Sequence, residues 1–193
     1  MTAKTPERSG RSRHTLICGL PGVGKTTLIR ELAKRLAEFE PAGFYTEEIR
    51  NKSGVREGFQ LVTLRGRKLV LSHISQSGPY RVGRYGVDIA GFEQLLAELD
   101  LGHVQSRLII IDEIGKMECF SRRFNEAVTA LLDSPKTLIA TIALKGDGFI
   151  RRVKDRPDCR LIMVTRENRD RLTEELANEF LHNLRKVDSS APL

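Results

Sequence analysis

Lysine, threonine and glycine stand together in Gly19-Leu20-Pro21-Gly22-Val23-Gly24-Lys25-Thr26-Thr27, and their spacing is that of a phosphate-binding loop. The glycines let the backbone curl until several N–H groups point at one spot, which favours an anion there. A helix opening at Lys25 would add its unpaired N–H groups and the positive end of its dipole. Lys25 would then reach the terminal phosphates, and the Thr26 hydroxyl would bind Mg²⁺.

A second constellation is Asp112-Glu113-Ile114-Gly115, at the end of the apolar run Leu108-Ile109-Ile110-Ile111. Mg²⁺ keeps several waters and takes one or two carboxylates plus phosphate oxygens, a role that suits Asp112 with Thr26. Glu113 resembles the glutamate that orients and deprotonates the attacking water in the additional-strand class of P-loop ATPases. Positioning carries most of phosphoryl-transfer catalysis, so a carboxylate beside metal and triphosphate need not be a strong base. Asp-Glu-Ile-Gly also fits the D-x-x-G pattern of GTP switches. No N/T-K-x-D guanine-reading motif follows, however, and Thr165-Arg166-Glu167-Asn168 does not supply one.

Several further residues admit two readings. Thr141 either senses a terminal phosphate or is an ordinary β-branched strand residue. Arg151, Arg152, Lys154 and Arg156 either supply a cation to the transferring phosphoryl group or form a solvated helix face. Asn168 and Arg169 either contact base and ribose or, for Asn168, cap a helix. Tyr45, Glu47 and Glu48, with Arg81, Arg84, Tyr85 and Asp88, either line a pocket beside the γ-phosphate or belong to a surface hairpin and loop.

The elements that must position these groups follow from periodicity. Thr15 to Cys18 is a strand, and Leu28, Leu32 and Leu36 mark a helix from Lys25 to about Phe39, stopped by Pro41. Runs at 43–50, 59–64 and 69–71, separated by turn residues, read as an antiparallel β insertion. Residues 74–87 read as a glycine- and proline-containing loop. Asp88 caps a helix carrying Phe92, Leu95, Leu96 and Leu99, and Ser121 caps one carrying Phe124, Val128, Leu131 and Leu132. Strands at 107–113, 137–143 and 161–164 flank a polar, basic connector at 146–156. A last helix runs from about Asn168 to Leu184. Strands alternating with helices predict a three-layer α/β fold around a mainly parallel sheet, with Gly19 and Asp112 at the carboxyl ends of strands where ligands bind.

Composition bounds the rest. The chain has 193 residues, 40% hydrophobic and 30% charged, as expected of one soluble domain at 14–184. Residues 1–13 carry Lys4, Arg8, Arg11 and Arg13 against Glu7, so +3 of the net +7 lies in an expected disordered basic tail. A C-terminal tail is expected from 185 to 193. The start has no apolar core of a secretory signal and no run is long enough to span a membrane. Cys18, Cys119 and Cys159 show no paired spacing, which favours a reducing, cytoplasmic compartment.

Five segments occur in order: 19–28, Gly-Phe-Tyr-Thr-Glu-Glu-Ile-Arg at 43–50, Val-Gly-Arg-Tyr-Gly-Val-Asp at 82–88, Ile-Asp-Glu-Ile-Gly-Lys-Met-Glu at 111–118 and Asn-Arg-Asp at 168–170. Together they resemble the cancer-related nucleoside-triphosphatase family of small P-loop enzymes, over roughly residues 14–184. The resemblance implies a RecA-like sheet and hydrolysis of ATP, GTP and other nucleoside triphosphates to diphosphate and phosphate with broad base tolerance. It also implies nucleotide contacts from 19–26 and from Asp112, Glu113, Ile114, Gly115 and Lys116; the expected nucleotide-binding set further includes Thr27, Asn168 and Arg169 from their own positions in the chain. The basic N-terminal arm has no counterpart in that resemblance.

The sequence therefore predicts a Mg²⁺-dependent triphosphatase in which Lys25 and Glu113 are catalytic and Thr26 and Asp112 hold the metal; it leaves the oligomeric state open, with a monomer favoured. Two rival readings use the same loop. A small-molecule or nucleotide kinase would need an acceptor pocket and a lid, for which 146–156 is a candidate. A nucleotide-gated RNA-binding module would draw on the basic tail and the Arg81/Arg84 loop.

Overall fold

The computed structural model of the protein describes residues 12–189; the expected basic tail, as far as residue 11, lies outside them, as do residues 190–193. The chain runs β1 (His14–Cys18), α1 (Lys25–Arg35), β2 (Ala42–Arg50), β3 (Arg56–Thr63), β4 (Lys68–His73), β5 (Arg81–Val82), β6 (Tyr85–Val87) and α2 (Ile89–Leu99). It continues through β7 (Leu108–Ile114), α3 (Arg122–Asp133), β8 (Thr137–Ile142), α4 (Phe149–Lys154), β9 (Cys159–Met163) and α5 (Arg169–Ser189). These strands form one sheet in the order β5-β6-β4-β3-β2-β7-β8-β1-β9.

From β2 to β9 every pairing is parallel, and from β2 to β5 every pairing is antiparallel. The β insertion is thus a continuation of the sheet, because β2 pairs with β7 along its first half and with β3 along nearly its whole length. The strand before the phosphate loop and the strand ending in Asp112 are not neighbours; β8 lies between them.

Period-two alternation divides β7 between the two faces of the sheet. Leu108 and Ile110 face the cluster built by Leu28, Leu32 and Leu36 of α1 and Leu176, Phe180 and Leu184 of α5. Ile109 and Ile111 face the cluster of α2, α3 and α4, with Phe92, Phe124, Ile150 and Val153. Phe44, Phe92 and Phe124 form an aromatic trio there, with ring centroids 5.5–6.4 Å apart. Each such ring contributes about 1.5–3 kcal/mol by burial, and the trio pins β2 to the helices two residues before Thr46.

The differences from the sequence reading have local causes. The first helix stops at Arg35, and the chain continues through Leu36 into a 3-10 turn over Ala37–Phe39, in which Phe39 N donates to the Leu36 carbonyl at 3.0 Å. Within 74–87, β5 and β6 pair with each other and β6 joins β4. The 146–156 connector contains α4, whose Ile150 and Val153 are buried against the sheet. The last helix passes Leu184 and runs to Ser189, with Arg185 donating to Glu38 at 2.7 Å. Among the described residues no helix is long and apolar enough to cross a membrane.

Candidate active site

The phosphate loop is the turn between β1 and α1. Gly22 and Gly24 have φ of 74° and 105°, left-handed values that glycine adopts without a Cβ penalty. Gly24 is also the N-cap of α1, and no side chain caps that end. The first N–H groups of α1 therefore keep their hydrogen-bonding capacity for an anion. Lys25 folds over the loop, its Nζ donating to the Gly19 and Leu20 carbonyls at 3.2 and 3.4 Å. That places its ammonium over the cradle the loop encloses.

Asp112 collects hydroxyls from three other elements. Its Oδ1 accepts from Thr141 Oγ1 of β8 at 2.5 Å, and its Oδ2 accepts from Thr26 Oγ1 of α1 at 2.7 Å. Thr46 of β2 adds its hydroxyl at 3.0 Å and its backbone N–H at 3.4 Å. The carboxylate is 1% exposed, so these bonds replace water as its solvent. Glu113 follows it, and its carboxyl is pushed upward by burial and then by the Asp112 charge, while Lys25 and Lys154 pull it back. The parallel register between β7 and β8 shifts after Ile111, at this pair of residues.

Chemically, the Thr26 hydroxyl and the Asp112 carboxylate are hard oxygen donors held together beside a phosphate cradle. That donor set suits a small divalent cation that shares its coordination with phosphate. Among the described residues no group of three His, Cys, Asp or Glu side chains forms a metal cage. A cation here needs the phosphate as a co-ligand.

The structure sorts the residues singled out from the sequence. Thr141 is buried in contact with Asp112, and Thr46, which the sequence reading passed over, joins it. Tyr45 and Glu47 instead face α1, where Arg30 lies over the Tyr45 ring at 4.8 Å and pairs with Glu47 at 3.5 Å. Glu48 pairs with Arg50 and Arg56. Arg81 and Arg84 donate to carbonyls of their own loop and of Arg56. Asp88 caps α2, accepting from Gly91 N at 3.0 Å.

Beyond Glu113, Ile114 is buried in the core, Gly115 is buried in the following turn and Lys116 is exposed. Asn168 is committed to the turn after β9, accepting from Thr165 N at 2.8 Å and donating to the Met163 carbonyl at 3.0 Å. Arg169 lies against the outside of the phosphate loop, donating to the Val23 carbonyl at 3.4 Å. Between the loop tip and that turn is a cavity of about 400 Å³, walled by Leu20, Pro21, Met163 and Val164 with Thr165 and Glu167 at its edge. In the basic segment, Arg156 is taken by Asp133 and Asp158, and Lys154 donates to the Leu144 carbonyl.

A glycine loop between strand and helix, facing an acidic strand end across one intervening strand, defines a P-loop nucleotide-hydrolysing protein of the additional-strand kind. The comparisons agree. The family model described as NTPase matches residues 14–177. The chain is 41% identical over 169 residues to Nucleoside-triphosphatase THEP1 of Thermotoga sp. (strain RQ2), covering 87% of this chain and 95% of that protein. It is 41% identical over 182 residues to the Cancer-related nucleoside-triphosphatase of Homo sapiens, covering 86% and 95%. The crystal structure of THEP1 from Aquifex aeolicus superposes with a TM-score of 0.75 at 35% identity, covering 84% of this chain and 96% of that one. The solution structure of a human cancer-related nucleoside triphosphatase gives 0.74 at 36%, covering 93% and 100%. The chain belongs to this THEP1-type nucleoside-triphosphatase family.

Proposed function

We propose that the protein hydrolyses nucleoside triphosphates to diphosphate and inorganic phosphate, with Mg²⁺ and with broad tolerance of the base. The observation that carries this is the meeting of Thr26, Thr46 and Thr141 on the buried Asp112 carboxylate, with Glu113 next in the chain. Thr26 and Asp112 would hold the metal, which when bound neutralises charge on the β- and γ-phosphate oxygens. Lys25 leaves the loop carbonyls for the phosphate oxygens, and the N–H groups at the start of α1 hold the phosphate in the loop.

Glu113 orients a water and takes its proton as the water oxygen bonds to the γ-phosphorus. The bond from that phosphorus to the β–γ bridging oxygen breaks, and the electron pair leaves with the diphosphate. The upward displacement of the Glu113 carboxyl makes it a better proton acceptor than an exposed glutamate. The base and ribose fit the hollow beside Leu20 and Met163. Leu20, Pro21, Val23, Met163 and Val164 give it an apolar wall that can pack on any base, which supports broad base tolerance, while Thr165, Arg166 and Glu167 line its edge. Three free thiols support a reducing compartment such as the cytoplasm.

The test is phosphate release across the common nucleoside triphosphates, with Mg²⁺ and after its removal by chelation. Release from all of them within about tenfold, and only with the metal, is the expected result. Lys25→Ala should lose nucleotide binding. Glu113→Gln should bind the nucleotide and lose turnover; wild-type hydrolysis by that variant would remove Glu113 from its role.

A further inference from the structure

Glu118 has no part in the chemistry described so far, yet it is one of the buried charged side chains, 5% exposed. It lies in the 3-10 turn Glu118–Phe120 that follows β7. The backbone N–H groups of Gly115 and of Glu118 itself favour the charged form of its carboxyl, whereas the neighbouring carboxyls of Glu113 and Asp112 oppose it. Burial pushes this carboxyl up to about 8, so it is held protonated at neutral pH. Burying a carboxyl is expensive in any protonation state, and an apolar side chain would fill the place at lower cost.

What the carboxyl does there is geometric. A Cβ on Gly115 would stand 2.9 Å from Glu118 Oε2 and 3.0 Å from Glu113 Oε1, so the two carboxyls flank one point and any side chain there would have to push one of them aside. The turn is tied off on its far side as well. Cys119 N donates to the Gly115 carbonyl and Ser121 N to the Glu118 carbonyl, each at 3.0 Å. Ser121 caps α3 through Phe124 N at 3.0 Å and donates to Glu93 of α2 at 2.7 Å. Backbone bonds and the Ser121 hydroxyl thus close the segment between Glu113 and α3, with the buried Glu118 carboxyl beside Glu113 on its inner side.

We propose that Glu118 is a positioning residue: its carboxyl fills the inner side of the turn after β7 and fixes the direction in which Glu113 presents its own carboxyl to the attacking water. The inference rests on the reading of Glu113 as the group that activates water. A glutamate has three side-chain torsions, and a displacement of about 1 Å at a reacting group costs on the order of 100-fold in rate. Removing the Glu118 carboxyl should therefore reduce turnover and leave nucleotide binding, which uses the other side of the site, untouched.

The experiment compares Glu118→Ala, Glu118→Gln, Gly115→Ala and Glu113→Gln, each checked for a cooperative melt. The readouts are kcat and KM for ATP with Mg²⁺ and, by calorimetry, the affinity for a non-hydrolysable ATP analogue. Glu118→Ala should lose about 10- to 100-fold in kcat, with KM and analogue affinity within about twofold. Glu118→Gln keeps the size, the neutral state and an oxygen for the two N–H groups, and should recover most of kcat. Gly115→Ala inserts its methyl between the two carboxyls and should show the same kcat-selective loss, even if Glu118→Ala fails to fold.

Wild-type kcat in a folded Glu118→Ala, or in Gly115→Ala should Glu118→Ala not fold, overturns the proposal, as does a loss that appears equally in analogue affinity. If Glu113→Gln is inactive while Glu118→Ala is not impaired, this inference fails alone. If Glu113→Gln turns over normally, the reading of Glu113 fails and takes this one with it.

Discussion

At the scale of single residues, the site is governed by one buried carboxylate and the hydroxyls that replace its water. A hydroxyl donating to an ionised carboxylate contributes about 1.5–3 kcal/mol, more than a neutral pair. Thr46→Val keeps the shape and deletes the donor, so it should lower the unfolding free energy by about 1–3 kcal/mol. It should also raise the Mg²⁺ concentration needed for half-maximal turnover, because Asp112 loses one of the groups that hold it. Thr46→Ser should restore both quantities. Urea denaturation and a Mg²⁺ titration of phosphate release measure them; a Thr46→Val protein unchanged in both would mean that Thr46 merely neighbours Asp112. The sequence displayed Thr26, Asp112 and Glu113 because loop spacing and a strand-end carboxylate are local signals. It did not display Thr46, since a threonine in a strand is unremarkable until the β2–β7 register sets Phe44 beside Ile111 and brings Thr46 to Asp112. The same parity sends Tyr45 and Glu47 to the α1 face.

At the scale of elements, motif residues divide into those that gather at the glycine loop and Asp112 and those that hold an element still. Asp88 ends the Val-Gly-Arg-Tyr-Gly-Val-Asp segment, and its side chain caps α2. Asp88→Ala should cost about 1 kcal/mol of stability, the usual loss of an N-cap, and leave kcat and KM within about twofold of wild type. Denaturant unfolding and steady-state kinetics would check this; a selective fall in kcat would place Asp88 in the chemistry instead. Helices with long apolar stripes and sharp caps, such as α2 and α3, were legible from the sequence because their signals are local and repeated. The strands β5 and β6 were not, since two or three residues are too few to show a period. The joining of the insertion to the parallel sheet also escaped the sequence. It depends on β2 pairing with β7 on one side and β3 on the other, a long-range choice that no window along the chain records.

At the scale of the whole molecule, two neutral buried groups at opposite ends of the sheet set opposing pH dependences of stability. His14, at the amino end of β1, is 0% exposed; its Nε2 donates to the Leu132 carbonyl at 3.1 Å and its Nδ1 accepts from Leu138 N at 3.3 Å. The bond accepted by Nδ1 requires the neutral ring, and burial lowers the proton affinity below the ordinary 6.5 against the opposing pull of Asp158 and the Leu132 carbonyl. The unfolded chain then binds more protons than the native one below that pH, so the His14 contribution is lost as pH falls. Glu118, beyond the carboxyl end of β7, does the reverse. Its unfolded carboxyl ionises near 4.5 and its folded one near 8, so across that window the native state holds the extra proton and stability falls as pH rises. Below 6.5 the two slopes oppose each other, and above 6.5 that of Glu118 continues to 8, with the raised Glu113 carboxyl acting in the same direction as Glu118. A single linked proton changes the unfolding free energy by at most about 1.4 kcal/mol per pH unit. The urea midpoint of the wild type should therefore decline from pH 6.5 to 8. Glu118→Gln, which cannot ionise, should reduce that decline while leaving the loss below 6.5 in place. His14→Gln should do the converse, removing part of the acid-side loss and keeping the alkaline decline. An alkaline slope undiminished in Glu118→Gln would mean that another group carries the proton, and that the carboxyl behind Glu113 is already ionised in the working enzyme.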